Sequence, residues 1–559
     1  MTDSEVRRLA RAALTLLDLL LPDREAAGRI RRDLTAALAL PPVRGEYRLL
    51  KVLSSDPVLA EWMLEQRGRT FRDTPRHLIV SLPEQIGVGH EFSVVVWLSQ
   101  SPGDHRLSGR LDPFGASGNG SAITVTVEAP GLVFLEHQRL RLPVPGDGDS
   151  APVEFGLRGL TTGTHNVRVR AFEAGRYLGG VVTTVKVHES AVPGPTRRER
   201  GELPPPSRRP GQATLEVSAL SGGDYSLRLL APGADERGVR KHLGGEPRKL
   251  VEELVQELGR LAMDKSPFKT RAAKNERLKN LGVGLWLGAV PDEIREQFWQ
   301  IADDISSFAV VSSADVLPWE LLYPMDGSHD RGFLIQQFPV TRGIDGQPPE
   351  LHLPLRSAAY VTSKLIPKAA ADEFQRIRQR LGPSVRDRGQ ITTLTQLTAT
   401  LGAPPSVLHF ACHNDFSEES GSVLSMHEGP FRPSDLATVV ARRSLRGAKP
   451  LIFFNACRTA EEVRRLNRPM GWASEFMAAG AGAFLGTLWP VRSSSARLFA
   501  DAFYDAFAAG GGRRLGEAVR HARDHVRNED GDPTWLAYTV YGDPDATAGA
   551  PAGGARAKA

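Results

Sequence analysis

The sequence predicts a multidomain protein with a helical bundle at the amino terminus, a β-sandwich in the middle and an α/β unit with a mainly parallel sheet at the carboxyl end. Three observations carry this. At 559 residues the chain is too long for one core. Its hydrophobic periodicity changes from helical to alternating near residue 76. Beyond a stretch rich in proline and arginine, strands and helices then alternate. The predicted divisions are residues 1–75 (helical), 76–190 (sandwich), 191–212 (linker), 213–547 (α/β unit) and 548–559 (an Ala/Gly/Pro-rich tail expected to be disordered).

In the first division, Val6, Leu9, Ala13, Leu17 and Leu20 form one helical stripe, and Ala27, Ile30, Leu34 and Leu38 form another. Pro22-Asp23 separates them, with Asp23 as an N-cap. A third helix begins at Asp56-Pro57 and carries Leu59, Trp62 and Met63. From His77 the pattern alternates. Strands are expected at His77–Leu82, Phe92–Leu98, Ala122–Val127, His165–Phe172 and Val181–Val187, about seven in all, with Ala174-Gly175-Arg176 closing a hairpin. No catalytic constellation is visible there. Pro193, Pro195, Pro204, Pro205, Pro206 and Pro210, interleaved with arginines, predict a solvated tether.

Composition narrows the function. Hydrophobic content of 41% and charged content of 24% are ordinary for a globular protein. There is no run of eighteen apolar residues, and the amino terminus is too charged for a signal peptide. A cytoplasmic protein without a membrane partner is expected. Two cysteines, Cys412 and Cys457, exclude a disulfide scaffold. The net charge of +5 is slight and the basic residues are scattered, so no nucleic-acid partner is expected. Phosphate-binding loops, His-Glu-x-x-His and Gly-x-Ser-x-Gly are all absent, and no cofactor or metal is called for.

Chemistry concentrates in the α/β unit. Val407-Leu408-His409-Phe410-Ala411-Cys412-His413 and Leu451-Ile452-Phe453-Phe454-Asn455-Ala456-Cys457 are short apolar runs, each ending at a reactive side chain. Helical spacing at Pro433–Arg446 lies between them, so the segment reads as strand, helix, strand in a parallel sheet. Functional groups in such sheets gather at the carboxyl ends of the strands. Cys457 is the candidate nucleophile. A free cysteine is most often a small core residue, but Asn455, Arg458 and Thr459 place this one at a strand end. Three histidines compete as its base: His409 lies four residues inside an apolar run and reads as buried, His427 falls on the connection, and His413 ends the strand. A zinc site from His409, Cys412, His413 and Cys457 is set aside because 412 and 413 face opposite sides of a strand.

These residues carry a resemblance. Asn455-Ala456-Cys457-Arg458-Thr459, with His413 457 − 413 = 44 residues upstream, is similar to the caspase pattern of Gln-Ala-Cys-[Arg/Gln/Gly]-Gly with a histidine about 50 residues earlier. With Leu317-Pro318-Trp319-Glu320-Leu321-Leu322-Tyr323, Gly480-Ala481-Gly482-Ala483, Gly486-Thr487-Leu488-Trp489 and Tyr541-Gly542-Asp543-Pro544, the chain resembles the CHAT peptidases, bacterial relatives of caspases and separases. The resemblance covers the carboxyl-terminal half. It implies a caspase-like fold and a cysteine endopeptidase with His413 and Cys457 as the dyad, acting on a protein substrate.

Further expectations follow from the resemblance. The family has glycine after the histidine; here Asn414 stands there, so the backbone N–H groups of Asn414 and Cys457 are the implied oxyanion donors. In relatives that cut after basic residues, Trp-x-Val is followed one residue later by Asp. This chain has Trp489-Pro490-Val491-Arg492-Ser493, which makes Trp489, Arg492 and Ser493 the expected substrate pocket and disfavours Arg or Lys before the scissile bond unless Asp415 or Glu428 enters from a loop. The helical division resembles effector-associated domains. That implies an activating protein partner and a role in bacterial defence or signalling. The rival reading is a caspase-like scaffold that has lost turnover and acts by binding.

Overall fold

A computed structural model describes residues 10, 13–14, 17, 24–40, 48–49, 52, 76–99, 122–144, 149–190, 196–203, 211–220, 224–231, 238–242, 246–262, 265–312, 317–363, 367–412, 414–417, 421–456, 469–489, 491–508, 512–527 and 532–549. In the first division Arg24–Leu38 is a helix. Ala27, Ile30 and Leu34 are buried as its periodicity requires, and Ala37 rather than Leu38 completes the buried face. Ala10, Ala13 and Leu17 are also helical and buried. Asp23 and the helix expected at Asp56-Pro57, with Leu59, Trp62 and Met63, lie outside the described residues, as does the tail from residue 550.

Ten strands follow among the described residues: β1 (Arg76–Pro83), β2 (Gln85–Gly87), β3 (Glu91–Ser99), β4 (Ala122–Glu128), β5 (Leu132–Phe134), β6 (Arg139–Pro143), β7 (Val153–Gly159), β8 (Gly163–Glu173), β9 (Arg176–His188) and β10 (Thr196–Leu203). They form two five-stranded sheets, β10-β1-β3-β7-β5 and β2-β9-β8-β4-β6. Inward residues of both, among them Val94 and Val96 of β3, Val125 of β4 and Val167 and Val169 of β8, share one apolar cluster. The alternation seen in the sequence is therefore the alternation of faces. The tether expected at 191–212 is corrected over two stretches. Thr196–Leu203 pairs antiparallel with β1 as an edge strand, and Gln212 already opens the next strand. The prolines flank Thr196–Leu203 without entering it, which leaves every backbone N–H there free to pair.

The remaining strands are β11 (Gln212–Ala219), β12 (Asp224–Leu230), β13 (Val239–His242), β14 (Ser307–Ser312), β15 (Val340–Gly343), β16 (His352–Leu353), β17 (Ser357–Thr362), β18 (Arg386–Ile391), β19 (Val407–Cys412), β20 (Asn414–Ser417), β21 (Gly421–Met426), β22 (Gly429–Phe431), β23 (Leu451–Ala456), β24 (Ala483–Thr487), β25 (Tyr538–Tyr541) and β26 (Thr547–Ala548). Eleven of them make one large, mainly parallel sheet in the order β13-β12-β11-β14-β15-β25-β24-β23-β19-β17-β18. That is an α/β architecture consistent with a caspase-like fold. Alternate residues of its central strands enter two different cores. Leu408, Phe410, Cys412, Ile452 and Phe454 pack with Trp472 and Phe476 of the Pro469–Ala478 helix. Val407, Ala411, Leu451 and Phe453 pack towards the Ser493–Ala508 helix, with Phe499 and Phe503. Burial on both faces is why these strands read as unbroken apolar runs.

The expected helix at Pro433–Arg446 is shorter. A 3-10 turn at Pro433–Leu436 leads into a helix of only Ala437–Ala441, followed by turns in which Arg443 and Lys449 take left-handed backbone. A small antiparallel sheet, β20-β21-β22, that the sequence did not announce lies between β19 and this turn. Gly480 (φ 102°) takes left-handed backbone, and a Cβ there would stand 2.6 Å from the backbone nitrogen of Arg446. Among the described residues no helix is long and apolar enough to cross a membrane.

The two β units are joined by a buried seam. The β8–β9 hairpin turns through Ala174 (φ 45°) and Gly175 (φ 88°). A Cβ on Gly175 would meet the Gln212 carbonyl oxygen at 2.6 Å, so the tip is pressed against β11. Arg176 of the hairpin pairs with Asp543 of Tyr541-Gly542-Asp543-Pro544. Phe172 and Tyr177 pack with Leu230 and Val311. Beside them Arg170, 1% exposed, donates to Asp345 (2.6 and 2.8 Å), Glu128 (2.8 Å) and Glu216 (2.9 Å).

Candidate active site

Strands β19 and β23 are parallel neighbours, in register from Val407↔Leu451 to Cys412↔Ala456. His413 and Cys457 are the next residue of each chain segment after that last pair, and both lie outside the described residues. What the structure describes is the ground on which they stand.

That ground is polar and buried. The Glu373 side chain, from the Pro367–Leu381 helix, places one carboxylate oxygen 2.8 Å from Nε2 of His409 and 2.7 Å from Nδ2 of Asn455. The Asn455 Oδ1 accepts from the Tyr538 hydroxyl at 2.7 Å. His409 Nδ1 lies 3.2 Å from the Tyr504 hydroxyl. His409, Asn455, Tyr504 and Tyr538 are fully buried and Glu373 is 5% exposed. A carboxylate only accepts, so the Asn455 amide must turn its NH2 to Glu373 and its oxygen to Tyr538. Burial pushes the Tyr504 hydroxyl far above its ordinary pKa, with Tyr360 and Glu373 adding to it, so it remains a neutral hydrogen-bonding group. The expectation of a buried, hydrogen-bonded His409 matches the structure. Sequence reasoning missed Glu373, Tyr504 and Tyr538.

The other candidates separate clearly. Cys412 is buried in the core on the opposite sheet face, with Leu424, Met426 and Phe431. His427 is exposed and bridges by backbone to Thr393. Asn414 opens β20 opposite Leu424. Its backbone is therefore extended, and the left-handed conformation that glycine would favour is not called on; its side chain, like that of Asp415, lies outside the described residues. Glu428 is exposed and bound to a neighbouring threonine. It accepts from the Thr395 N–H (2.9 Å) and hydroxyl (2.8 Å), bonds that hold its carboxyl below the ordinary value.

Trp489 is fully buried, whereas Ser493 is exposed as the first residue of the Ser493–Ala508 helix. Arg492 stands between them, half-buried, and donates through Nε to the Ala262 carbonyl at the end of the Glu246–Ala262 helix. The carboxylate of Asp532 is 4.0 Å away, and its other contacts are Ser495 and Thr534. Within the Leu317–Tyr323 stretch, Glu320 holds strands together. It is 1% exposed, forms an ion pair with Arg342 (2.5 Å) and accepts from Thr539 (2.6 Å). Burial would raise the Glu320 carboxyl, but the charge and hydrogen bonds of Arg342, the Thr539 hydroxyl and a backbone N–H together hold it below its usual range.

Comparison with known proteins places these observations. Residues 315–543 match the CHAT domain family. No curated protein matches the sequence. Among solved structures the chain is similar to separase in the Saccharomyces cerevisiae separase–securin complex, at 12% identity over 59% of this chain and 30% of that one, with a TM-score of 0.36. It is similar to the Arg-specific cysteine proteinase gingipain R at 12% identity over 54% and 76%, TM-score 0.33. A complex of Porphyromonas gingivalis RgpB pro- and mature domains matches at 13% identity over 54% and 77%, TM-score 0.32. The chain thus spans less than a third of the separase chain. Likenesses this distant carry no argument about activity. The family match, together with the large parallel sheet, supports a cysteine-peptidase-type fold for this unit: residues 315–543 carry the match to the CHAT domain family.

Proposed function

We propose that the protein is a cysteine endopeptidase acting on a protein substrate through a Cys457–His413 dyad. The observation that carries the reading is the parallel, in-register pairing of β19 and β23 up to Cys412↔Ala456, one residue short of His413 and Cys457 in both strands, within the match to the CHAT domain family. In this reading His413 accepts the thiol proton and the thiolate attacks the substrate carbonyl. The backbone N–H groups of Asn414 and Cys457 hold the oxyanion. Collapse of the tetrahedral adduct breaks the C–N bond, and His413 returns the proton to the leaving amine. Water then hydrolyses the acyl-enzyme and frees the thiol.

The substrate pocket in this reading is formed by Trp489, Arg492 and Ser493. A cationic side chain buried without a counter-charge costs several kcal/mol, and Ser493 supplies no charge. Arg492 is engaged by Ala262 and Asp532, which favours a small or apolar residue before the scissile bond over an acidic one. Profiling on a peptide library is expected to show that preference. Ser493→Asp places a carboxylate at the first position of a helix, where it is tolerated, and is expected to shift preference towards Arg and Lys. A wild-type preference for Arg or Lys would contradict this pocket.

The helical segment, residues 1 to about 70, is proposed to receive an activating protein partner, in the manner of a cytoplasmic effector in bacterial defence or signalling. Basal cleavage is then low. Incubation with proteins that co-purify, followed by mapping of new amino termini, tests the activity itself. Deleting residues 1–70 is expected to abolish stimulation by the partner while leaving basal turnover within about twofold. Equal stimulation of the truncated protein would rule out this role. A protein set in which no new terminus appears under any condition would favour the binding scaffold instead.

A further inference from the structure

We propose that Glu373 is a positioning residue for the Cys457–His413 pair, an inference that rests on the peptidase reading and adds to it a residue from outside both catalytic strands. Glu373 does not belong to the strands it controls: it comes from the Pro367–Leu381 helix laid across the sheet. One of its oxygens receives a donor from each strand, Nε2–H of His409 in β19 and Nδ2–H of Asn455 in β23. Asn455 stands opposite Ala411, so the two donors sit diagonally across the same strand pair. Strand residues two apart share a face. By that alternation His409 and Ala411 share a face in one strand, as Phe453 and Asn455 do in the other. In sequence the tie lies two residues before the proposed nucleophile in one segment and four before the proposed base in the other.

Backbone pairing alone fixes register, and the described pairing of the two strands runs as far as Cys412↔Ala456. A nucleophile and base displaced by as little as about 1 Å lose orders of magnitude in rate. A carboxylate that binds both strands close to the Cys412↔Ala456 pair limits their freedom to slide or splay. The outer partners fix its direction: Tyr538 takes the Asn455 oxygen and Tyr504 the second nitrogen of His409. Tyr538 and Asn455 also approach the Ala496 carbonyl, at 3.5 and 3.3 Å, which extends the frame to the helix that follows Trp489 and Arg492. A buried carboxylate is costly unless fully engaged, and here it is spent between the two strands that carry the chemistry.

The test is alkylation of the full-length protein with iodoacetamide across pH, scored separately for Cys457 and Cys412 by peptide mass. Wild-type Cys457 is expected to react at least tenfold faster than Cys412 at pH 7. Glu373→Ala is expected to slow Cys457 at least tenfold and to move the midpoint of its pH profile towards about 8.5, the value of a free thiol. Glu373→Gln keeps an acceptor oxygen at the same reach and is expected to stay within about threefold of wild type. Glu373→Met fills the volume without an acceptor, and gives the same answer as alanine should the alanine variant fail to fold. Wild-type Cys457 no faster than Cys412 would overturn the peptidase reading, and this inference with it. A fast wild type with an unchanged rate and pH profile in the folded alanine or methionine variant overturns the inference alone, as does a glutamine variant as slow as alanine.

Discussion

Cys457→Ala and His413→Ala are each expected to abolish the proposed cleavage, by roughly four orders of magnitude or more, while Cys412→Ala is expected to leave it within about threefold. Members of a nucleophile–base pair act as a unit, so losing either costs nearly as much as losing both. A thiol with an ordinary pKa of about 8.5 is mostly protonated at neutral pH and attacks slowly without its base. Cys412 has no access to this chemistry: it is fully buried on the sheet face that packs against Trp472 and Phe476, opposite to the face of His409 and Asn455. Its truncation removes one buried atom, worth about 1 kcal/mol of stability. Cleavage assays and thermal midpoints on the three variants check this together. Should Cys412→Ala prove as inactive as Cys457→Ala with both proteins folded, the nucleophile is misassigned.

The strands of the candidate site were legible in the sequence because they are buried on both faces, which turns Val407–Cys412 and Leu451–Ala456 into apolar runs whose ends stand out. The two polar residues inside those runs, His409 and Asn455, were visible too, but not their purpose. Their shared partner Glu373 is 36 residues from one and 82 from the other, on a helix whose pattern marks it only as one polar position among several. Likewise Glu320 appeared as part of a recognisable stretch, and only the fold brings Arg342 and Thr539 to it. The edge strand Thr196–Leu203 was hidden by the prolines on either side. Arg170 was not singled out in the sequence for a different reason. In Asn166-Val167-Arg168-Val169-Arg170 the charged positions alternate with valines, as on a strand with one face in water, yet a second unit covers that face.

That covered face leads to the second large effect: Arg170→Ala will destabilise the joined unit by about 3 kcal/mol at neutral pH, and by less in mild acid. Arg170 is the shared cation of Glu128, Glu216 and Asp345, whose side chains are only 6%, 3% and 12% exposed. Burial would lower the Arg170 guanidinium, but Asp345 above all, with Glu216 and Glu128, holds it well above its ordinary value. Removing one partner of such a cluster leaves buried charge without compensation, typically about 3–5 kcal/mol. The lower end applies because other arginines remain: Arg228 is 2.5 Å from Glu216, and Arg168 is 3.1 Å from Glu128 and 3.4 Å from Asp345. Burial alone would raise the Glu216 carboxyl, yet Arg228 and Arg170 bring it below its usual value. Its contribution to wild-type stability is therefore present above the ordinary carboxylate pKa of about 4.5 and lost as pH falls through the lower folded value. In Arg170→Ala the Glu216 carboxyl loses part of that support and rises, so its protonation relieves the variant at a pH where the wild type still holds its ion pairs. The gap between the two proteins is expected to narrow from pH 7 to pH 5 in the first transition of urea unfolding. Arg170→Met, which restores volume and not charge, is expected to recover little. Adding Glu128→Gln, Glu216→Gln and Asp345→Asn to Arg170→Met removes the uncompensated charge and is expected to recover most of the loss. A deficit below about 1 kcal/mol at pH 7, or one that is the same at pH 5, would show that the seam is held by Phe172, Tyr177, Leu230 and Val311 and not by its charges.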